Sequence, residues 1–505
     1  MIVNLRAVAG TLGALLVALG IALLFPMGVG LLYGEASWWS FGVTALVALV
    51  VGGGAFAAYR PQEEDDLRIR EGFVIVAFAW LLLSLVGALP FVLGGVLDHY
   101  TDAFFETMSG FTTTGATILG GADTPAIEAL PNGFLFWRSL THWLGGMGII
   151  VLTLAVLPIL GIGGMQLFKA EVPGPSADKL TPRVRETAKR LWAIYVGLTA
   201  VEVLLLLPAM TPFDAVNHAF ATLATGGFST ENGSVGQYDS AYIDWVVTAF
   251  MFLAGMNFAL HYAVLHGRFD APWKSQEFRV YAGIIVGATV LMTLVLWAPT
   301  YAVTFANAGD FEGTVLVYDS GLDALRYAAF HAAAITTTTG FGTADYELWP
   351  ALAVGVLFVL FFVGGMAGST AGGVKVVRQL LLVKNSLREI QRLLHPQAIL
   401  PIRLDHRVVP TEVMRNVLSF IVLYFGLIFV GTLVLALLGL DLLTAFGGAA
   451  SSVGNIGPAF GALGPTETYA IVPTAGKWVL ALLMMAGRLE IFTVLVLFAP
   501  GFWRR

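Results

Sequence analysis

The chain has 505 residues, 57% of them hydrophobic and 12% charged, with a formal net charge of −6 and a mean hydropathy of +0.81. A soluble domain carries about a quarter of its residues charged, so this composition excludes one and defines a membrane protein. The absence of cysteine excludes disulfide frameworks, thiolate metal sites and cysteine nucleophiles, and no basic patch interleaved with aromatics marks a nucleic-acid surface.

At the N-terminus, Arg6 precedes an apolar run from Val8 to Leu32. That run is long enough to cross a bilayer and no small-x-small cleavage site follows a short core, so it reads as a retained helix rather than a signal peptide. Ten stretches have spanning length: 8–33, 38–59, 72–97, 137–164, 190–211, 243–266, 278–303, 349–384, 413–438 and 475–500. Of the 27 lysines and arginines, 23 fall on one set of loops, chiefly the clusters Lys169–Arg190 and Lys375–Arg415. Arg138, Arg326 and Lys477 fall on the other side and Arg488 falls mid-span. The positive-inside rule then places both termini in the cytoplasm, which an even number of spans permits.

Four shorter segments, Asp102–Thr113, Asp214–Thr225, Asp323–Thr338 and Leu442–Gly454, are too short to cross and too apolar for ordinary loops. They read as re-entrant half-helices, the first three N-capped by their aspartates. Each runs into a glycine-centred stretch and then a full span. The reference glycines Gly115, Gly227, Gly340 and Gly457 lie 112, 113 and 117 residues apart, the signature of an internal repeat. The expected fold is therefore an all-α polytopic membrane protein of about ten transmembrane helices. Two N-terminal spans (1–70) precede four span–pore-loop–span repeats, over 71–165, 190–266, 276–384 and 411–505, arranged around a pseudo-four-fold pore.

The four loops supply the candidate ion site: Thr113, Thr114 and Gly115; Thr225, Gly226 and Gly227; Thr338, Thr339 and Gly340; Asn455, Ile456 and Gly457. A filter needs backbone carbonyls aimed at an ion to replace its water shell, and glycine takes the required dihedrals without a Cβ penalty. The half-helices aim their partly negative C-termini at the same cavity, which favours a cation. The third loop, continuing through Phe341 to Gly342, resembles the T-V-G-Y-G filter of potassium channels. The eighth span is interrupted by Gly364, Gly365, Gly368, Gly372 and Gly373, with Lys375 following; these read either as a kinked helix packed through its small residues or as an intramembrane loop that gates the path, and Arg488 either as a structural ion pair with another helix or as an electrostatic barrier in the pore. Val374 between Gly373 and Lys375 removes a phosphate-loop reading.

Longer matches carry a family resemblance. They include Ser109–Thr117, Trp137-Arg138 followed by Trp143-Leu144-Gly145-Gly146-Met147-Gly148, Met165-Gln166-Leu167, Pro173-Gly174-Pro175, Glu186-Thr187-Ala188-Lys189, Thr225–Thr230, Gly364–Gly373 and Gly487-Arg488-Leu489-Glu490. On these the chain resembles the Trk/Ktr/HKT superfamily of cation transport subunits, in its bacterial TrkH type, which the two extra N-terminal spans also favour. The resemblance implies gated, channel-like uptake of K⁺ across the bacterial inner membrane, with K⁺ as the transported ion and no covalent cofactor. It further implies a lipid-embedded homodimer with one pore per protomer, gated by a cytosolic nucleotide-binding subunit of the TrkA kind. Asn455 and Ala459 depart from the other loops, so the fourth quadrant is expected to be less symmetric.

Among the remaining polar residues, Glu106, Glu202 and the pair Asn257 and His261 read as structural, with Asn257 and His261 sharing a helix face. Glu231 and Asp345 read as solvated loop carboxylates, with enrichment of cations at the pore mouth as the alternative. No histidine forms H-E-x-x-H and no G-x-S-x-G elbow occurs, so an enzyme is not expected. The alternative on the same fold is a proton- or sodium-coupled K⁺ symporter, for which a carboxylate such as Glu202 would have to face the pore.

Overall fold

Apolar runs of more than 20 residues leave the backbone no partner in lipid except itself, so they fold as helices. A computed structural model describes residues 3–59, 69–121, 124–148, 184–297, 316–398, 400–405 and 407–503. Its first two helices, α1 (Leu5–Leu32) and α2 (Trp38–Ala58), form an antiparallel hairpin. They meet through small residues: a β-carbon on Gly13 would lie 2.7 Å from the Gly52 carbonyl oxygen. Close approach of this kind is how helices associate where lipid removes the hydrophobic drive. The hairpin is joined to the first repeat by Glu35, whose carboxylate accepts from the backbone N–H groups of Asn132 and Gly133 at the start of a later helix.

The first repeat comprises α3 (Ile69–Gly87), the half-helix α4 (Tyr100–Phe111) and α5 (Asn132–Trp143), which passes into a π-turn at Leu144–Gly148. The second has α6 (Val184–Leu206), the half-helix α7 (Pro212–Leu223), and α8 (Ala241–Ala254) bent by 102° into α9 (Phe258–Leu265). The third has α10 (Gln276–Trp297), the half-helix α11 (Gly321–Thr336), α12 (Ala351–Leu360), a glycine-rich loop and α13 (Val376–Leu394). The fourth has α14 (Thr411–Leu437), the half-helix α15 (Leu442–Gly454), and α16 (Thr474–Arg488) bent by 114° into short turns over 492–498. Among the described residues, one small antiparallel hairpin, Arg403–Leu404 on Arg407–Val408, interrupts the helices. Four span–half-helix–loop–span units thus surround a pseudo-four-fold axis, with α1 and α2 outside them.

Three details correct the sequence reading. The spans expected at 243–266 and 475–500 are each broken rather than continuous. Asn257 N-caps α9 by accepting from Ala259 N, and His261 bonds Leu253 O, so the two do not pair across one helix face. Asp102, Asp214 and Asp323 lie in the first turn of their half-helices, where they favour the positive helix end, but the N-caps are His99, Thr211 and Ser320. The true aspartate cap is Asp441 on the fourth, accepting from Leu443 N and Thr444 N at 3.1 Å. The matches at Met165–Leu167 and Pro173–Pro175 lie outside the described residues.

The three basic residues that broke the charge bias each meet a carboxylate. Arg138 pairs with Glu106 at 2.9 Å, Lys477 with Asp102 at 2.7 Å and Arg326 with Asp244 at 3.5 Å. The last two pairs join different repeats, which places these charges at seams between helices.

Candidate functional site: four loops at the pseudo-four-fold axis

Each half-helix ends in a residue that no ordinary side chain favours energetically. Thr113, Thr225, Thr338 and Asn455 have φ of 52°, 55°, 57° and 54°. A β-branched residue at positive φ is strained and persists only where its surroundings over-determine it. These four occupy one register, two residues before the reference glycines, which themselves have φ of 78°, 85°, 75° and 101°. Left-handed residues at alternate positions turn successive carbonyls towards the same side of the chain. Four loops of differing sequence therefore adopt one backbone path.

The loops also touch in cyclic order. A β-carbon on Gly115 would lie 2.0 Å from Gly226 O, one on Gly227 2.1 Å from Thr339 O, one on Gly340 1.9 Å from Ile456 O, and one on Gly457 2.7 Å from Thr114 O. Each reference glycine is thus pressed against the carbonyl preceding the next repeat's glycine, and the last returns to the first. All twelve residues singled out in the loops come together in this ring. Two buried side-chain oxygens at its helix end, Thr113 Oγ1 and Asn455 Oδ1, have no hydrogen-bond partner among the described residues. Orphaned buried oxygens are rare and call for a ligand or water. The fourth quadrant differs: Gly457 O accepts from both Ser451 Oγ and Tyr469 Oη, at 2.9 and 2.8 Å, so its lone pairs are taken.

Behind the first two loops sits a network that sequence reasoning did not assemble. Arg138 Nε donates to Glu106 Oε1, its Nη2 to Thr117 Oγ1 at 3.2 Å, and its guanidinium lies 4.2 Å from the centre of the Phe228 ring. Glu106 also accepts from Ile118 N at 3.0 Å. His142 joins the same pair of repeats, contacting Gly110 O at 2.8 Å and accepting from Phe228 N at 3.2 Å. Glu106, His218 and His331 stand nine residues before their reference glycines, so one buried pore-helix position carries the bracing side chain in three quadrants. The matching position in the fourth is Gly448, and a shared register in the sequence was the available signal.

The glycine-rich loop lies against the helix end of this ring. Gly372 N donates to Thr338 Oγ1 at 2.7 Å, and a β-carbon on Gly372 would lie 2.5 Å from Gly454 O. Gly364, Gly368, Gly373 and Lys375 all have positive φ, and Gly364 and Gly373 pack backbone to backbone, folding the loop on itself. Gly365 abuts Gly255 O, at the bend between α8 and α9, where Met366 N donates to that same oxygen at 2.9 Å. Lys375 Nζ turns back to Ala371 O. Arg488 reaches the same loop. Its Nη1 donates to Thr370 O at 2.7 Å and its Nη2 to Gly145 O and Gly146 O at 2.9 and 3.1 Å. Glu490 instead pairs with Arg378 at 2.6 Å.

Glu202 is fully buried beside Thr222 on the half-helix α7. Glu231, beyond the second loop, has its carboxyl pushed above the usual range by burial, with Glu128 and Asp214 adding repulsion. Asp345 accepts from Glu347 N at 3.0 Å and so caps a turn. Among the described residues, no group of histidines and carboxylates could hold a metal ion.

A helical membrane protein with four re-entrant loops closing one ring of backbone oxygens belongs to the pore-loop class of transport proteins. The family model for TrkH, a cation transport protein, matches residues 42–505, and the chain belongs to that family. It is 41% identical to the Trk system potassium uptake protein TrkH of Salmonella typhimurium, over 99% of this chain and 100% of that protein, and equally to its Escherichia coli counterpart. The Escherichia coli protein TrkG is 35% identical over 99% of both chains. The crystal structure of the potassium transporter TrkH from Vibrio parahaemolyticus matches with a TM-score of 0.85 at 37% identity, covering 99% of this chain and 100% of that one.

Proposed function

We propose that this chain takes up potassium across the bacterial inner membrane through a gated, channel-like pore whose selectivity filter is the ring of four loops. The observation that carries this reading is the shared backbone: positive φ at two alternate positions in all four loops, closed cyclically by glycine-to-carbonyl contacts. Such a column offers oxygens of fixed spacing to a cation stripped of its water. The partnerless Thr113 Oγ1 and Asn455 Oδ1 extend it at the inner end, while Gly457 acts through its conformation, its own carbonyl being occupied.

On this reading Gly364, Gly365, Gly368, Gly372, Gly373, Lys375 and Arg488 form the gate. The loop obstructs the path directly below the filter, and Arg488 holds it there. Both termini face the cytoplasm, and the repeats are bounded at 71–165, 190–266, 276–384 and 411–505. The protein works as a homodimer whose opening is controlled by a cytosolic nucleotide-binding subunit of the TrkA kind, docking at the basic loops. The named potassium uptake function of the relatives supports the choice of ion.

Gly340→Ser tests the filter. With φ +75° and Ile456 O occupying the space of any β-carbon, the substitution must deform the ring. Rubidium over sodium flux into liposomes should fall at unchanged amounts of folded protein. An unaltered ratio would refute the filter.

A further inference from the structure

Two residues beyond each reference glycine, at Thr117, Ser229, Gly342 and Ala459, the backbone carbonyl accepts a hydrogen bond from the preceding repeat. Arg138 Nη1 of the first repeat donates to Ser229 O of the second at 3.0 Å. Gly236 N of the second donates to Gly342 O of the third at 3.0 Å. Tyr346 Oη of the third donates to Ala459 O of the fourth at 2.7 Å. Tyr469 N of the fourth donates to Thr117 O of the first at 2.8 Å. The four bonds form one closed hoop, although their donors are a guanidinium, a phenol and two backbone amides.

This register is one step beyond anything the shared motif requires. Each of these four oxygens spends a lone pair on a donor of the neighbouring repeat. The bonds fix how far apart the loops stand immediately after the filter. A hydrogen bond has a narrow distance range, and a closed cycle of four leaves no quadrant free to move outward alone. Three of the four donor residues are buried, Tyr346 at 1% exposure and Arg138 and Tyr469 at 2%, and Gly236 is half-buried.

We infer that this hoop sets the bore of the filter's outer end and thereby its discrimination between ions, with Tyr346 and Arg138 as positioning residues. The inference rests on reading the four loops as the selectivity filter. Tyr346 is the better probe, because it makes its hoop contact through a single hydroxyl. Arg138 also neutralises Glu106, so its removal would disturb more than the hoop.

The experiment compares Tyr346→Phe, Gly340→Ser and Tyr242→Phe in liposomes, reading the rubidium-to-sodium flux ratio together with thermal stability in detergent. Tyr242→Phe removes a hydroxyl bond of 2.7 Å to Leu205 O, away from the filter, and serves as the matched control. The expected result is a ratio lowered roughly fivefold in Tyr346→Phe, the factor one ordinary hydrogen bond is worth, with the parent ratio in Tyr242→Phe. A lowered ratio in Gly340→Ser beside a parent ratio in Tyr346→Phe overturns the hoop and leaves the filter standing. Parent ratios in both overturn the filter reading and the hoop with it. An equal fall in Tyr242→Phe also overturns the hoop. Should Tyr346→Phe not fold, Arg138→Lys keeps a positive charge beside Glu106 and removes the Nη1 bond to Ser229 O, the first link. A lowered ratio there supports the hoop, and a parent ratio overturns it.

Discussion

Arg488 donates from Nη1 to the carbonyl oxygen of Thr370 at 2.7 Å, fastening the end of the last long helix to the glycine-rich loop. Its other nitrogen reaches the π-turn of the first repeat, so one guanidinium ties the fourth repeat to the third and the first. These hydrogen bonds hold the loop against Thr338, whose Oγ1 accepts from Gly372 N.

Arg488→Ala removes all of these contacts at once. Basal rubidium uptake without a cytosolic partner should rise, and deleting 368–372 should raise it as well. On the gate proposed above, the charge would act beside the loop: two unit charges 4 Å apart repel by about 4 kcal/mol at an effective dielectric near 20, and less in a wet pore. The double variant should therefore exceed either single one. If folded variants take up no more than the parent, the gate lies elsewhere.

The pair Glu106 and Arg138 gives a stability prediction. Their side chains are 0% and 1% exposed, so removing one leaves a buried charge unpaired. Losing one member of such a pair costs about 3–5 kcal/mol. Arg138→Met should lower the thermal midpoint in detergent sharply, and Glu106→Gln added to it should recover part of the loss. The double-mutant cycle is the measurement, and strictly additive losses would show that the charges act separately.

Much of this was legible in the chain because half-helices and glycine loops are local. The segments read as Asp102–Thr113, Asp214–Thr225 and Asp323–Thr338 fold as helices shifted two residues towards the N-terminus, because the cap is set by the residue before the apolar run. The bends at Gly255–Asn257 and Leu489–Ile491 escaped, since hydropathy averages over a window and does not register a change of direction. The signals were present: Asn257 is a good N-cap, and Arg488 and Glu490 interrupt an apolar run. Contacts such as Tyr346 to Ala459 join residues more than a hundred positions apart, and no local pattern encodes them.

Glu35 offers a test of what the first two helices contribute. Its carboxylate accepts from Asn132 N and Gly133 N, at the positive end of α5. Capping bonds of this kind are typically worth about 0.5–2 kcal/mol. Glu35→Ala should lower the thermal midpoint modestly and leave the rubidium-to-sodium ratio at the parent value. A changed ratio would mean that the hairpin reaches the filter.

Glu231 predicts a pH dependence of stability. Its folded pKa is raised by burial and by Glu128 and Asp214, so the fold disfavours the ionised form. The penalty is fully present above the folded pKa and vanishes below the unfolded value, near about 4.3. Glu231→Gln should therefore stabilise the protein at neutral pH, with the gain shrinking as pH falls to about 4. A gain independent of pH would assign the effect to packing.

The third loop contains two glycines, Gly340 and Gly342, that the T-V-G-Y-G likeness treats as equivalent requirements. The structure separates them. Gly340 has φ +75°, and a β-carbon on it would lie 1.9 Å from Ile456 O. Gly342 is not among the residues of positive φ, and a β-carbon there would meet nothing within 4 Å. Its backbone does the bonding, accepting from Gly236 N and donating to Ser234 Oγ, and neither contact involves the missing side chain. Gly342→Ala should accordingly fold and transport like the parent, and its reduced unfolded-state entropy favours the folded state by about 0.4–1 kcal/mol. Gly340→Ala should lose selective uptake, because both the dihedral and the space are denied. Each variant adds one methyl group, at sites two residues apart, so the two have the same composition. Equal loss of rubidium uptake in both would mean that the loop needs glycine for flexibility rather than for a fixed ring.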